Sequence, residues 1–585
     1  MVSSLCGSLN NSVVLCDHFE SLENKNLIFE KYYSTFSKMK KINLSITILT
    51  TLFFMLSCDS KKADLIVYNA QVYTVDSNFT VAEAFAIRDG KILDVGRNLD
   101  IMDHYQAEEE IDLNGHFVYP GLIDAHCHFF NYGLSLRNAD LTGTKSFDEI
   151  CDIIQEHASE FQPEWILGRG WDQNDWEIQE FPVNEKLDEL FPDQPVLLRR
   201  IAGHAAIANS EALKRAGITP ETTVEGGTVV VKNGKLTGIL IDNAIGLVSR
   251  MIPEASESEK VTALLKAQEK CFAVGLTSLH EAGLGRESIR LIDSIQHTGE
   301  LKMRIYAMLS PGKENFETYM YPGPYQTDYL KVNSIKLFSD GALGSRGALM
   351  LEPYSDDPGN WGLLVNSPEY LKNMCMEAYE YDFQVNTHAI GDSANRLMLN
   401  IYSAILKGKN DRRWRIEHAQ VVHPDDFSKF GEYNIIPSVQ TTHATSDMYW
   451  ADERLGEERM KGAYAYKTLL EQNGWIPNGS DFPVENINPL YGFYAAITRK
   501  DLEGYPEGGF LPEQLLTRKE ALRAMTIWAA RSAFEENVKG SIEPGKFADF
   551  IVTSSDLMTI PEQEIPNVKI RMTYLGGEQV YSTLK

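Results

Sequence analysis

The chain has 585 residues, of which 43% are hydrophobic, 23% charged and 10% aromatic. That is ordinary globular composition, and it excludes a disordered tail protein, a collagen-like fibre and a disulfide-stapled mini-protein. Its 55 Lys and Arg against 82 Asp and Glu leave a net charge of −27. With no basic stripe to offset that charge, nucleic-acid binding is excluded as well.

The opening residues show no clear period, but the pattern changes at Met39. Lys40 and Lys41 precede a short apolar run, Ile42 to Met55, and Leu56-Ser57-Cys58 follows. A run this short reads as the apolar region of a signal peptide, since a spanning helix needs about 20 residues. A Cys directly after a small residue resembles a bacterial lipobox; a secretory signal with an accidental Cys is the plainer alternative. The expectation is a mis-assigned upstream extension over 1–38 and a lipoprotein signal peptide over 39–57. A lipid on Cys58 would then tether a soluble body to the cell envelope, on its periplasmic or extracytoplasmic face. Beyond this region lie Cys127, Cys151, Cys271 and Cys375, with no framework or CxxC spacing. That argues against a disulfide architecture and against a thiolate zinc site.

Residues 64–75 and 84–95 alternate apolar and polar side chains and read as hairpin strands. Residues 548–552 and 570–580 repeat the style, so 64–117 and 541–585 are expected to form one composite β-sandwich. Between them, eight short strand-like runs end in chemically capable residues: 121–128, 276–281, 304–309, 334–340, 383–388, 415–418, 435–440 and 475–481. Helical segments such as 258–272 and 370–381 separate several of them. This is the arithmetic of an α/β fold of the (β/α)8 TIM-barrel type over 118–139 and 261–540. It requires residues 140–260 to be an insertion after barrel strand 1, a lid subdomain with strands of its own at 165–170, 195–199, 228–231 and 238–241.

His126 and His128 stand two apart on the first run, so both project from one face, and Cys127 points the other way. His388, His418 and Asp481 end the fifth, sixth and eighth runs. Any one of these His residues alone is more simply a hydrogen-bonded core residue. Their joint placement at strand ends points to a metal centre. Lys336 lies in an apolar run on the fourth strand. It is either a snorkelling Lys or one paired with a buried carboxylate such as Asp340, or else an amine that reacts with carbon dioxide to give a metal-bridging carbamate. His280, His204, Trp171, Asp172 and Arg346 are candidates for contact with substrate, each with a structural role as the alternative. His423 and His443 also lie near strand ends and receive no metal role.

The set His126-x-His128, Lys336, His388, His418 and Asp481 resembles the amidohydrolase superfamily, and more narrowly its family 3, the N-substituted formamide deformylase-like group. The strings that carry the likeness include PGLIDAHCHF (120–129), KLFSDGALGSRGAL (336–349), NTHAIGD (386–392), RIEHAQ (415–420) and GSDFPV (479–484). The resemblance implies two divalent metal ions, with Zn2+ expected. His126, His128 and Asp481 would hold one, His388 and His418 the other, and a carbamate on Lys336 would bridge them. It further implies a metal-activated hydroxide as nucleophile, with Asp481 as the catalytic proton carrier. The function expected is hydrolysis of a non-peptide C–N bond in a small molecule: an N-formyl, N-acyl or cyclic amide. The same centre acting as a lactonase, isomerase or hydratase is a near alternative, and a non-catalytic solute-binding lipoprotein is the alternative of a different class. The only membrane partner expected is the lipid anchor, and homo-oligomerisation is compatible with all of this.

Overall fold

The computed structural model describes residues 61–583 except 174–175, 201–204, 225–226, 243 and 345. The expectations for 1–38, 39–57, Cys58 and His204 therefore fall outside the described residues. Among the described residues, no helix is long and apolar enough to cross a membrane.

The central sheet carries seven parallel strands in chain order: Leu122–Cys127, Leu276–Leu284, Arg304–Leu309, Leu330–Phe338, Gln384–Ala389, Arg415–His418 and Ile436–Ser438. An extended segment, 476–481, takes the eighth position. Val439 bridges Asn478 in parallel, and Ala125 N–H donates to the Asn478 carbonyl (3.2 Å). Asp481 N–H donates to the His126 carbonyl (2.8 Å), so the ring of strands closes as a TIM-type barrel. Alternation along each strand sorts the side chains. Ile335 and Leu337 join the main hydrophobic core, while Lys336 between them turns to the barrel axis and meets His126. Closure at the eighth position depends on Gly479, where a Cβ would lie 2.4 Å from His126 N and 2.8 Å from Asp124 Oδ1. Asp124 accepts from Ser480 Oγ (2.6 Å) and from His126 N (3.0 Å), locking the first strand to the eighth segment.

The insertion after the first barrel strand builds a six-stranded sheet with its own core around Ile154, Leu187 and Leu198. Its strands include Ile166–Trp171, Val196–Arg200, Gly227–Lys232 and Lys235–Asp242, close to the expected spans. Asn138–Asp140 and Ala205–Ala208 complete the sheet; neither run is long enough to show a period in the sequence.

Two further sheets pack face to face. One orders Lys91–Gly96, Ala84–Arg88, Lys61–Tyr68 and Tyr105–Asp112; the other orders Glu578–Ser582, Ile570–Leu575, Phe550–Thr553, Phe117–Pro120, Gln71–Tyr73 and Val81–Ala82. The second sheet draws strands from both ends of the chain, and Leu65, Val67, Phe85, Val118, Phe550 and Tyr574 share the core between the sheets. Residues 64–75 are not one continuous strand. Lys61–Tyr68 pairs with Ala84–Arg88, whereas Gln71–Tyr73 pairs with Phe117–Pro120, so the chain crosses between sheets at Asn69, where φ is 56°.

Candidate metal centre

At the C-terminal mouth of the barrel, six side chains from five strand ends converge. His126, His418 and Asp481 each offer a ligand atom, and these atoms all lie within 4.8 Å of one another. Asp481 Oδ1 lies 3.2 Å from His128 Nε2 and 3.7 Å from His126 Nε2. The His388 and His418 rings are 4.5 Å apart between centroids, and Lys336 Nζ is 2.9 Å from His126 Nε2.

The neighbours of each imidazole select its tautomer. His126 Nδ1–H donates to Glu417 Oε2 (2.6 Å), leaving the Nε2 lone pair toward Lys336 and Asp481. His418 Nδ1–H donates to Gln440 Oε1 (2.7 Å), so its Nε2 is likewise free of a proton. His388 Nε2 faces the Gly341 carbonyl (3.5 Å), which leaves Nδ1 with the lone pair. Burial, reinforced by Lys336 and by the other imidazoles, holds His126 and His418 below their ordinary range and drives His388 down to about 3. Three neutral imidazoles thus crowd together beside a carboxylate. Burial would raise Asp481, but the hydrogen bond from His128, with the imidazoles around it, outweighs burial and holds its carboxyl well below the usual range. Burial also lowers the Lys336 amine, against the opposing pull of Glu417 and Asp481.

Two backbone features aim this set. His418 has φ 74° and Asp481 has φ 62°, left-handed conformations that non-glycine residues rarely adopt and that cost roughly 1–3 kcal/mol each. At His418 the turn breaks the strand alternation, so that Glu417 and His418, adjacent in sequence, both serve the same cluster. Glu417 is itself held by Arg415 (3.7 Å), and although burial opposes it, His126, Arg415 and Lys336 bring its carboxyl down to about 2. Glu417, Gln440 and Asp124 carried no assignment from the sequence. Glu417 precedes His418 in RIEH, and simple alternation turns it away from the site.

This donor set fits a divalent cation. Imidazole lone pairs and a carboxylate oxygen meet at one buried point, and the proton-bearing edges of the rings are already engaged elsewhere.

The residues expected to touch substrate have partners of their own. Trp171 is buried in the core of the insertion, its indole N–H donating to the Leu198 carbonyl (3.0 Å). Asp172 accepts from Arg200 (2.6 and 2.7 Å), and Arg346 donates to Asp356 (3.1 and 2.6 Å). His280 is fully buried, with Nδ1 3.1 Å from Arg415 Nη1.

The amidohydrolase family matches over residues 109–581. The chain is 36% identical over 540 residues to Protein LONG AFTER FAR-RED 3 of Arabidopsis thaliana, covering 89% of this chain and 92% of that one. It is 33% identical over 522 residues to the putative amidohydrolase YtcJ of Bacillus subtilis, covering 87% and 98%. To the N-substituted formamide deformylase of Arthrobacter pascens it is 25% identical over 539 residues, covering 88% and 97%. Among solved structures, an uncharacterized metal-dependent hydrolase from Pyrococcus furiosus superposes with a TM-score of 0.70 at 28% identity, over 85% of this chain and all of that one. The chain belongs to the amidohydrolase family and is a metal-dependent hydrolase of that superfamily.

Proposed function

We propose that this hydrolase cleaves a non-peptide C–N bond in a small N-formyl, N-acyl or cyclic amide, at a binuclear centre held by His126, His128, Lys336, His388, His418 and Asp481. The observation that carries the reading is the convergence of neutral imidazoles, a buried Lys and an ionised carboxylate at the barrel mouth. The N-substituted formamide deformylase, aligned along nearly its whole length, supports an amide as the substrate.

Divalent cations bound there, Zn2+ by the nitrogen-rich donor set, would supply Lewis-acid polarisation of the carbonyl and a water acidified from about 15.7 toward about 7. The chain's own residues do the rest. Glu417 and Gln440 orient His126 and His418 and fix which ring nitrogen each presents. Lys336, its amine lowered by burial, adds to carbon dioxide with loss of a proton, giving a carbamate with two oxygens and one negative charge. Asp481, ionised at neutral pH, takes the proton from the attacking water as the C–O bond forms. It returns that proton to the leaving nitrogen as the C–N bond breaks. The Lys40-Lys41, apolar run and Cys58 sequence supports placing this activity on a membrane through a lipid on Cys58.

The test is a hydrolysis screen of the zinc-reconstituted protein over N-formyl amines, N-acyl amines, hydantoins and lactones. Release of an amine or ring opening of a hydantoin is expected. Turnover of lactones alone would overturn the C–N assignment, and tight solute binding without turnover would overturn catalysis altogether.

A further inference from the structure

His443 stands beside the metal centre without belonging to its group of converging ligand atoms. It lies on the short helix Thr441–Asp447, just after the seventh barrel strand, and its ring stacks on His418 at 5.9 Å and 20°. The residue is only 9% exposed, and its Nε2 is buried with no hydrogen-bond partner among the described residues. The nearest carboxylate oxygen, Asp481 Oδ2, is 3.9 Å away, beyond hydrogen-bond length.

The helix that presents this ring is tied at both ends. Thr441 N–H donates to Asn478 Oδ1 (3.0 Å) and Thr441 Oγ1 to the Gly492 carbonyl (2.7 Å). Asp447 accepts from Gln420 Nε2 (2.7 Å) and from Tyr464 OH (2.9 Å). The imidazole is therefore held firmly while its polar edge goes unmatched, and a buried polar atom left so in a fixed frame calls for a partner that comes and goes. The charge of Asp481 favours the tautomer with the proton on Nε2, the edge that faces it. That edge then offers a donor, and what it lacks is an acceptor.

We propose that His443 is a substrate-contacting residue whose Nε2–H donates to the carbonyl oxygen of the scissile amide, and to the same oxygen of the carboxylate product. This rests on the C–N hydrolase reading above and names a contact within it. As the C–O bond forms, the carbonyl electron pair moves onto that oxygen, so the donated bond strengthens toward the transition state and acts on kcat more than on KM.

The test compares the zinc-loaded full chain with His443→Phe, which keeps the ring packing on His418 and removes the donor, and with His443→Gln, which keeps a donor. Metal content, calorimetric affinity for formate and acetate, and kcat and KM on an N-formyl amine are read for each. Both variants should retain the wild-type metal content. His443→Phe should bind both carboxylates at least tenfold more weakly and lose roughly 10²–10³-fold in kcat, and His443→Gln should recover part of each loss. Loss of metal from His443→Phe would make the residue a ligand and overturn the proposal. Carboxylate affinity and kcat within twofold of wild type would overturn it too. If the wild type cleaves no C–N bond, the reaction class falls by itself, while the formate and acetate affinities still decide the contact.

Discussion

At the scale of single residues, the site is a set of tautomers chosen by neighbours. His126, His128, His388, His418, Lys336 and Asp481 were legible in the sequence because each closes or interrupts a strand-like run. Glu417 and Gln440 were not, since the left-handed turn at His418 that recruits Glu417 leaves no mark in a pattern of apolar and polar letters. Lys336 shows how the layers depend on one another: its burial lowers the amine, and a neutral amine is what carbon dioxide can modify. Under the proposed binuclear reading, Lys336→Ala should lose one or both metals, with short carboxylic acids restoring part of the content; metal analysis giving full occupancy would overturn the proposed bridge. Asp124 carries a pH signature. Burial pushes its carboxyl from 3.8 up to about 7, against hydrogen bonds from Ser480 and His126. Between those values the folded state holds a proton that the unfolded chain has released, so its contribution to stability falls as pH rises from about 4 toward about 7. Asp340 and Glu281, also raised to about 7 by burial, act with the same sign. The buried imidazoles His126, His388 and His418, held low, act with the opposite sign, so the comparison of two proteins isolates Asp124. In urea unfolding of the metal-free proteins, Asp124→Asn should gain stability relative to the wild type as pH rises across this window, by up to about 1.4 kcal/mol per pH unit. Equal slopes for the two proteins would contradict the assignment.

At the scale of elements, the barrel was readable because each strand is a short apolar run with a polar end, and the helices between them keep their own period. The eighth position was readable as a run but not as a contact. What seats it is Gly479 against the first strand, with the Asp124–Ser480 bond beside it. Two residues later comes Asp481, so the fit at Gly479 sets where its carboxylate sits. A methyl at 479 would meet backbone nitrogen at 2.4 Å, and neither strand can yield without moving His126 or Asp481. A misplacement near 1 Å costs about 10²-fold in rate. Gly479→Ala should thus lose about that much in kcat, while Gly246→Ala, at a helical glycine with nothing within 4 Å, should be neutral. Comparable kcat values for the two variants would show that the eighth segment adjusts freely.

At the scale of the whole chain, the sequence placed strand-rich stretches at both ends but could not show which strand pairs with which. The strand expected over 64–75 divides because its two halves serve different sheets, a choice made by partners distant in sequence. Those partners also tie the β-sandwich to the barrel. Phe550 stacks on Tyr574 (4.4 Å) and meets Phe85 edge-on (5.0 Å), joining strands from opposite ends of the chain. Asp549, just before Phe550, takes a bidentate pair from Arg304 on the third barrel strand at 2.7 and 3.0 Å, both side chains almost fully buried. Deleting residues 546–585 would strip Phe550, Val552 and Tyr574 from the core shared with Leu65, Val67 and Phe85. It would also take from Arg304 its carboxylate partner. The truncated chain keeps every residue of the metal centre, yet exposed apolar surface should make it aggregate. Asp549→Asn isolates the second effect: it spares the apolar core and breaks the buried pair, at a cost of about 3–5 kcal/mol. Size-exclusion chromatography of the truncation and urea unfolding of Asp549→Asn check the two separately. A monomeric, fully active truncation would mean that the ends of the chain do not hold a common core, and an unchanged unfolding midpoint for Asp549→Asn would mean that Arg304 finds another partner.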